Sequence, residues 1–176
     1  DLIGVDGLGS AVALSSREAV VGAPYVDSST GAAYIFSNQR YWLTASGGDW
    51  VDVLNWTGGS IPDYESAVYF GLNNTIIVDV DNSNAESDSL NCFAGEVTIL
   101  DGSGGGLGSL NIYGETGDAL SIASNTSSPV SLRLLDCVSN VSGSTYVGGA
   151  ASGAGIFSIA SSSGHYADIL IGTGGN

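Results

Sequence analysis

The residues best suited to chemistry are carboxylates, and they are densest between residues 79 and 88. Asp79-Val80-Asp81-Asn82-Ser83 puts oxygen donors at alternate positions, the spacing of the first half of a calcium loop. Asn84 stands where such a loop needs a left-handed residue, a conformation asparagine can adopt. The twelfth place is Leu90 rather than Glu, so the segment is not an EF-hand. Calcium on Asp79, Asp81 and Ser83 is the one cofactor these residues suggest. The plainer alternative is a strand that ends in a solvated acidic turn. Carboxylates held a fixed distance apart also cleave polysaccharides. The candidates Asp101, Glu115, Asp118 and Asp136 are scattered, and their spacing along the chain does not pair them.

Other catalytic constellations are poorly supplied. His165 is the only histidine and sits in a loop-like Ser163-Gly164-His165-Tyr166, with no nucleophile elbow in the chain. Two cysteines and one histidine, far apart, do not have zinc-ligand spacing. Gly102-Ser103-Gly104-Gly105-Gly106-Leu107-Gly108 lacks the lysine and the following helix of a phosphate cradle and reads as a turn. The expectation is a protein that is not an enzyme.

The elements around these residues are short strands. Lysine is absent, and Arg17, Arg40 and Arg133 are the only strong bases. Helix surfaces are normally built from Lys, Glu, Gln and Arg, whereas here Gly, Ser, Thr, Asn and Asp break up runs of Val, Ile, Thr and Tyr. The expected class is all-β, with no helix longer than about two turns. A formal net charge of −15 leaves no cationic patch for nucleic acid or anionic membrane. No apolar run is long enough to span a bilayer. The chain begins at Asp1 and stops within Gly172-Thr173-Gly174-Gly175-Asn176, which reads as a processed or partial sequence.

Cys92 and Cys137 form an even pair in a composition typical of oxidising compartments, so a disulfide between them is expected, with two buried thiols as the alternative. Such a bridge would close a loop of roughly 45 residues and stabilise by about 3–4 kcal/mol. Four sequons make Asn55, Asn73, Asn125 and Asn140 candidate N-glycosylation sites if the source is a eukaryote.

Residues 1–38 read as a three-stranded meander: Ser10-Ala11-Val12-Ala13-Leu14-Ser15, then Glu18-Ala19-Val20-Val21-Gly22-Ala23-Pro24, then Gly31-Ala32-Ala33-Tyr34-Ile35-Phe36. In order and spacing these strings resemble one FG-GAP repeat of the integrin-type β-propellers. Leu8 replaces the usual aromatic, and Asp27 is the single carboxylate where that family's calcium loop would fall. Only one repeat is present, about a fifth of the chain.

Residues 39–176 form the second region. Trp42, Trp50 and Trp56 open it, and the expectation is that their indoles cap an apolar core with their N–H groups bonded outward. An aromatic sugar platform is the alternative. The string Gly48-Asp49-Trp50 with Asn55-Trp56-Thr57-Gly58-Gly59-Ser60-Ile61-Pro62 resembles the opening segment of secreted β-solenoid and autotransporter-like adhesins. Alternating strings such as Leu110-Asn111-Ile112 and Leu120-Ser121-Ile122 then recur about every 10 to 13 residues. That rhythm fits a sandwich or a solenoid; the resemblance favours the solenoid.

A lone meander cannot bury its own face. The expected function is therefore a structural subunit of an extracellular fibre or surface layer. It would assemble head-to-tail as a filamentous homo-oligomer through Val12, Leu14, Val20, Val21, Tyr34 and Phe36. The alternative is a monomeric extracellular adhesion module that binds glycan or protein.

Overall fold

A computed structural model describes residues 7–15, 18–102, 108–115, 118–122, 130–148, 155–160 and 169–171. The chain divides into two compact units, Asp1–Gln39 and Arg40–Asn176.

The first unit is an antiparallel sheet of β1 (Ala11–Leu14), β2 (Glu18–Ala23) and β3 (Ala32–Ser37), in that order. Its short strands are rich in β-branched and small residues, and its turns carry Gly and Pro, so the local sequence and the fold agree. A single helical turn, α1 (Val26–Ser29), bridges β2 and β3. Cross-strand partners are Val12, Val21 and Tyr34 in one row and Leu14, Ala19 and Phe36 in the next. Little of this apolar surface is covered: Leu14 is 77% exposed, Ile35 69%, Val12 58% and Phe36 50%. Val21 and Tyr34 are half-buried.

The second unit is a β-solenoid. Its opening turn contributes β4 (Gln39–Tyr41), β5 (Gly48–Asp49) and β6 (Ala67–Phe70). The next rung is β7 (Thr75–Asp79), β8 (Asn84–Ser87) and β9 (Ser89–Cys92). Above it lie β10 (Glu96–Leu100), β11 (Ser109–Ile112) and β12 (Asp118–Ile122). Then come β13 (Val130–Leu135), β14 (Val138–Val141) and β15 (Ser144–Val147), and finally β16 (Gly155–Ala160) and β17 (Ile169–Ile171). Like strands stack into three walls, in the orders β5-β7-β10-β13-β16, β8-β11-β14-β17 and β4-β6-β9-β12-β15. From β7 onward the neighbours are parallel.

Register sets the core. In the first wall Ile76, Val97, Leu132 and Phe157 form one inward ladder, and Val78, Ile99, Leu134 and Ile159 form the next. In the third wall Val68, Leu90 and Leu120 line up, as do Phe70, Cys92 and Ile122. All belong to one apolar cluster, and most are fully buried. Each ladder continues along the axis, so a side chain packs against its counterparts above and below.

The solenoid resolves the choice left open between sandwich and solenoid. Strict periodicity is missing from the sequence because the rungs differ in length. Thr75 pairs with Glu96, 21 residues on; Glu96 pairs with Ser131, 35 on; Ser131 pairs with Ile156, 25 on. The first wall should therefore be sensitive on one face only. Leu132→Ala is expected to cost about 2–5 kcal/mol by leaving a cavity in a ladder, and Ile77→Ala, from an outward position 49% exposed, within about 0.5 kcal/mol. Equilibrium urea unfolding of both variants checks this.

Candidate functional site

The chemistry-bearing residues gather at the corners of the solenoid, where one wall turns into the next. At the β7–β8 corner Asp81 (φ 41°) and Asn82 (φ 56°) are both left-handed, which short polar side chains tolerate. The Asp79 carboxylate lies beneath. Its Oδ1 accepts from Asp81 N at 2.8 Å and from Gly102 N, one rung up, at 2.9 Å. Asp101 is 4% exposed and works in the opposite sense. Its Oδ1 accepts from Asn82 N at 3.4 Å and its Oδ2 from Gly108 N at 2.9 Å. At the next corner Asp88, 2% exposed, accepts from Glu115 N at 2.7 Å. These three carboxylates hold corner amides that no strand ladder satisfies, and they tie successive rungs together.

That assignment changes the reading of the acidic segment. Of the expected calcium residues Asp79, Asp81 and Ser83, Asp79 already accepts two backbone amides. Ser83 Oγ donates to the Val80 carbonyl, and Asn84–Ser87, which a twelve-residue loop would need as turn, are the strand β8 paired with β11. Among the described residues no group of three or more His, Cys, Asp or Glu could hold a metal ion. The scattered acids stay scattered in role. Asp101 is committed to backbone, Glu115 and Asp118 are exposed near the start of β12, and Asp136 (φ 56°) occupies a left-handed turn before β14. His165, residues 103–107 and Asn125 lie outside the described residues.

The expected Cys92–Cys137 disulfide is not formed: both are free, buried thiols. Cys92 points inward from the third wall, in register with Phe70 and Ile122. Cys137 sits at the β13–β14 corner, its Sγ 3.9 Å from the Ile99 carbonyl oxygen and 3.7 Å from Ser139 Oγ. The two sulfurs belong to different rungs as well as different walls, so the fold uses them as small apolar side chains. Burial pushes both thiols up from their ordinary value.

The tryptophans do form the cap. Trp50 and Trp56 rings meet edge-on at 4.8 Å, Trp42 and Trp56 at 4.9 Å, and Trp42 lies 5.8 Å from Phe70. All three are at most 2% exposed, so the sugar-platform alternative fails. The N–H groups do not point outward as expected. Trp42 Nε1 donates to the Thr44 carbonyl at 2.6 Å and Trp56 Nε1 to that of Trp50 at 2.7 Å, while buried Trp50 Nε1 has no partner among the described residues. Asn55 is built into the same cap. Its Nδ2 donates to the Asp49 carbonyl at 2.9 Å, and a Cβ on Gly48 would stand 2.7 Å from that nitrogen. Asn55 is 7% exposed, and a glycan on it has no room.

Two outward aromatic pairs escaped sequence reasoning. Tyr41 and Tyr69 stack at 4.7 Å with a 16° interplanar angle. Tyr64 and Tyr113 meet at 6.4 Å, nearly perpendicular, among Glu65, Glu86 and Glu115. Hydrogen bonds to Glu65 and Glu86 respectively are the main cause holding these two phenols above their usual value. The partners are 28 and 49 residues apart; wall register brings Tyr41 of β4 beside Tyr69 of β6, and the corners bring Tyr64 and Tyr113 together.

Two outcomes are expected. Iodoacetamide should label neither cysteine in the native protein and both after denaturation, followed by mass spectrometry. The stabilisation from holding Cys92 neutral is complete below the unfolded thiol's pKa of about 9 and is lost as the pH rises beyond it, because the unfolded chain then ionises. Replacing Cys92 with Val should remove that part of the alkaline decline in the urea midpoint. Separately, Asp79→Ala should cost about 1 kcal/mol by removing two charge-assisted hydrogen bonds at an exposed corner, with no recovery on adding calcium in the same unfolding assay.

The comparisons with known proteins bear on the first unit. The family model of the FG-GAP repeat matches residues 1–36. No curated protein and no solved structure matches the chain. These comparisons do not show the adhesin-like resemblance of residues 48–62; the chain has an FG-GAP-like segment followed by a β-solenoid.

Proposed function

We propose that this chain is an extracellular adhesion or recognition module, in which the FG-GAP-like sheet supplies the contact surface and the solenoid a stiff support. The observation that carries the reading is the apolar surface of that sheet. Val12, Leu14, Val20, Ile35 and Phe36 are all more than a third exposed, within a segment matched to a repeat found in surface recognition proteins. Val12, Leu14 and Phe36 lie on one face of the sheet and Val20 and Ile35 on the other, and exposed apolar side chains grouped on a face mark interaction sites. Among the described residues no helix is long and apolar enough to cross a membrane. The module acts by binding, to protein or glycan, and carries no catalytic step.

Head-to-tail fibre assembly through the same residues is the second reading, favoured by β1 and β3 being free edges of a three-stranded sheet. Charge opposes it: subunits of formal charge −15 repel, although salt screens that repulsion beyond about 8 Å.

Antibody labelling of intact, unpermeabilised source cells tests the location. Sedimentation at high protein concentration tests the mode of action. Under the recognition reading the full chain stays monomeric and binds to cell surfaces, and the double variant Leu14→Ser with Phe36→Ser binds at least about tenfold more weakly with an unchanged dichroism spectrum. Reversible polymers that this variant abolishes would establish the fibre instead. Equal cell binding by the variant would remove the sheet from either role.

A further inference from the structure

We infer that Asn73 is the sequon whose glycan the folded chain is built to carry, and that Asn55 is one it must leave bare. The two sites have the same local sequence grammar, Asn55-Trp56-Thr57 and Asn73-Asn74-Thr75. Their surroundings are opposite. Asn55 is buried in the tryptophan cap with its Nδ2 donated to Asp49 and its Oδ1 accepting from Thr44 Oγ1. Its sequon threonine is also committed, since Thr57 Oγ1 accepts from Tyr41 N at 2.9 Å. A sugar on Asn55 Nδ2 breaks the cap and leaves buried polar groups unpaired, which is costly.

Asn73 lies on the tight turn between β6 and β7 and is exposed. The turn's backbone is fixed while this side chain is not used. Asn74 N donates to the Leu72 carbonyl at 2.8 Å, and Glu96 N of the next rung donates to the Asn74 carbonyl at 2.9 Å. Gly95 (φ 75°) lets that rung approach so closely that a Cβ there would fall 2.4 Å from both the Leu72 and Asn74 oxygens. The turn therefore holds its shape without help from the Asn73 amide, which makes no hydrogen bond among the described residues. Thr75 Oγ1 faces outward as well, 3.2 Å from Glu96 Oε2.

The modification is a group transfer. Asn73 Nδ2 attacks the anomeric carbon of an oligosaccharide carried on a lipid diphosphate. The carbon–nitrogen bond forms, the bond from that carbon to the diphosphate oxygen breaks, Nδ2 gives up one proton, and the lipid diphosphate leaves. One N–H remains on the amide, and no hydrogen bond of the fold is lost.

The test is to secrete the full chain from eukaryotic cells and map peptides before and after glycosidase release in heavy-oxygen water, which marks each formerly glycosylated Asn as Asp. The expected result is a glycan at Asn73, none at Asn55, and loss of the Asn73 signal with unchanged secretion in Asn73→Gln. A glycan at Asn55 in protein with a native, buried-tryptophan fluorescence spectrum overturns the inference. So does an unmodified Asn73 when a control glycoprotein is modified in the same cells. Thr75→Val serves as a second variant: it should remove the glycan with the asparagine intact, and a persisting glycan would also overturn the assignment.

Discussion

Every feature of the larger unit depends on the in-register stacking of inward apolar side chains. A single rung has three short strands and too few buried groups to offset the entropy of ordering them. Stacked, each inward residue is covered by its counterparts, as Val97 is by Ile76 below and Leu132 above. The same rule explains why a ladder accepts Cys92 between Phe70 and Ile122: what matters at that level is an apolar group of suitable size. It also forces both ends of the stack to be covered by something other than a rung.

At the opening end that cover is aromatic. The turn carrying Trp42, Trp50 and Trp56 cannot supply regular strands on all three sides, and it fills the space with large rings packed edge to face. Aromatic residues suit this role because each buries a large area for few lost rotations. Asn55 and Thr44 then satisfy the irregular backbone beneath. The segment that resembles an adhesin motif thus serves as the aromatic cap of this solenoid.

The corners impose a second requirement. Wall-to-wall turns leave amides outside the strand ladders, and buried amides need acceptors. In a chain without lysine and with few amide-bearing long side chains, aspartates take that task. Asp79, Asp88 and Asp101 accept backbone N–H groups across rungs. The charge on these three aspartates is thus structural.

The sequence by itself determined the class and the strand positions of highest alternation. Scarce helix formers and the strings Leu110-Asn111-Ile112 and Val97-Thr98-Ile99-Leu100 were sufficient, because strand alternation is a local property. Weakly apolar strands such as Asn84–Ser87, Ser89–Cys92 and Ser144–Val147 were not legible, since register with their neighbours, not their own composition, makes them strands. Only the tertiary structure decided the roles of the polar residues. It left Cys92 and Cys137 as free thiols, set the Asp79 carboxylate against the Gly102 amide one rung up, and buried Asn55 while exposing Asn73. The physical reason is that a carboxylate, thiol or amide acquires its function from neighbours one rung away. Those neighbours lie 21 to 35 residues distant along a chain whose rung length varies.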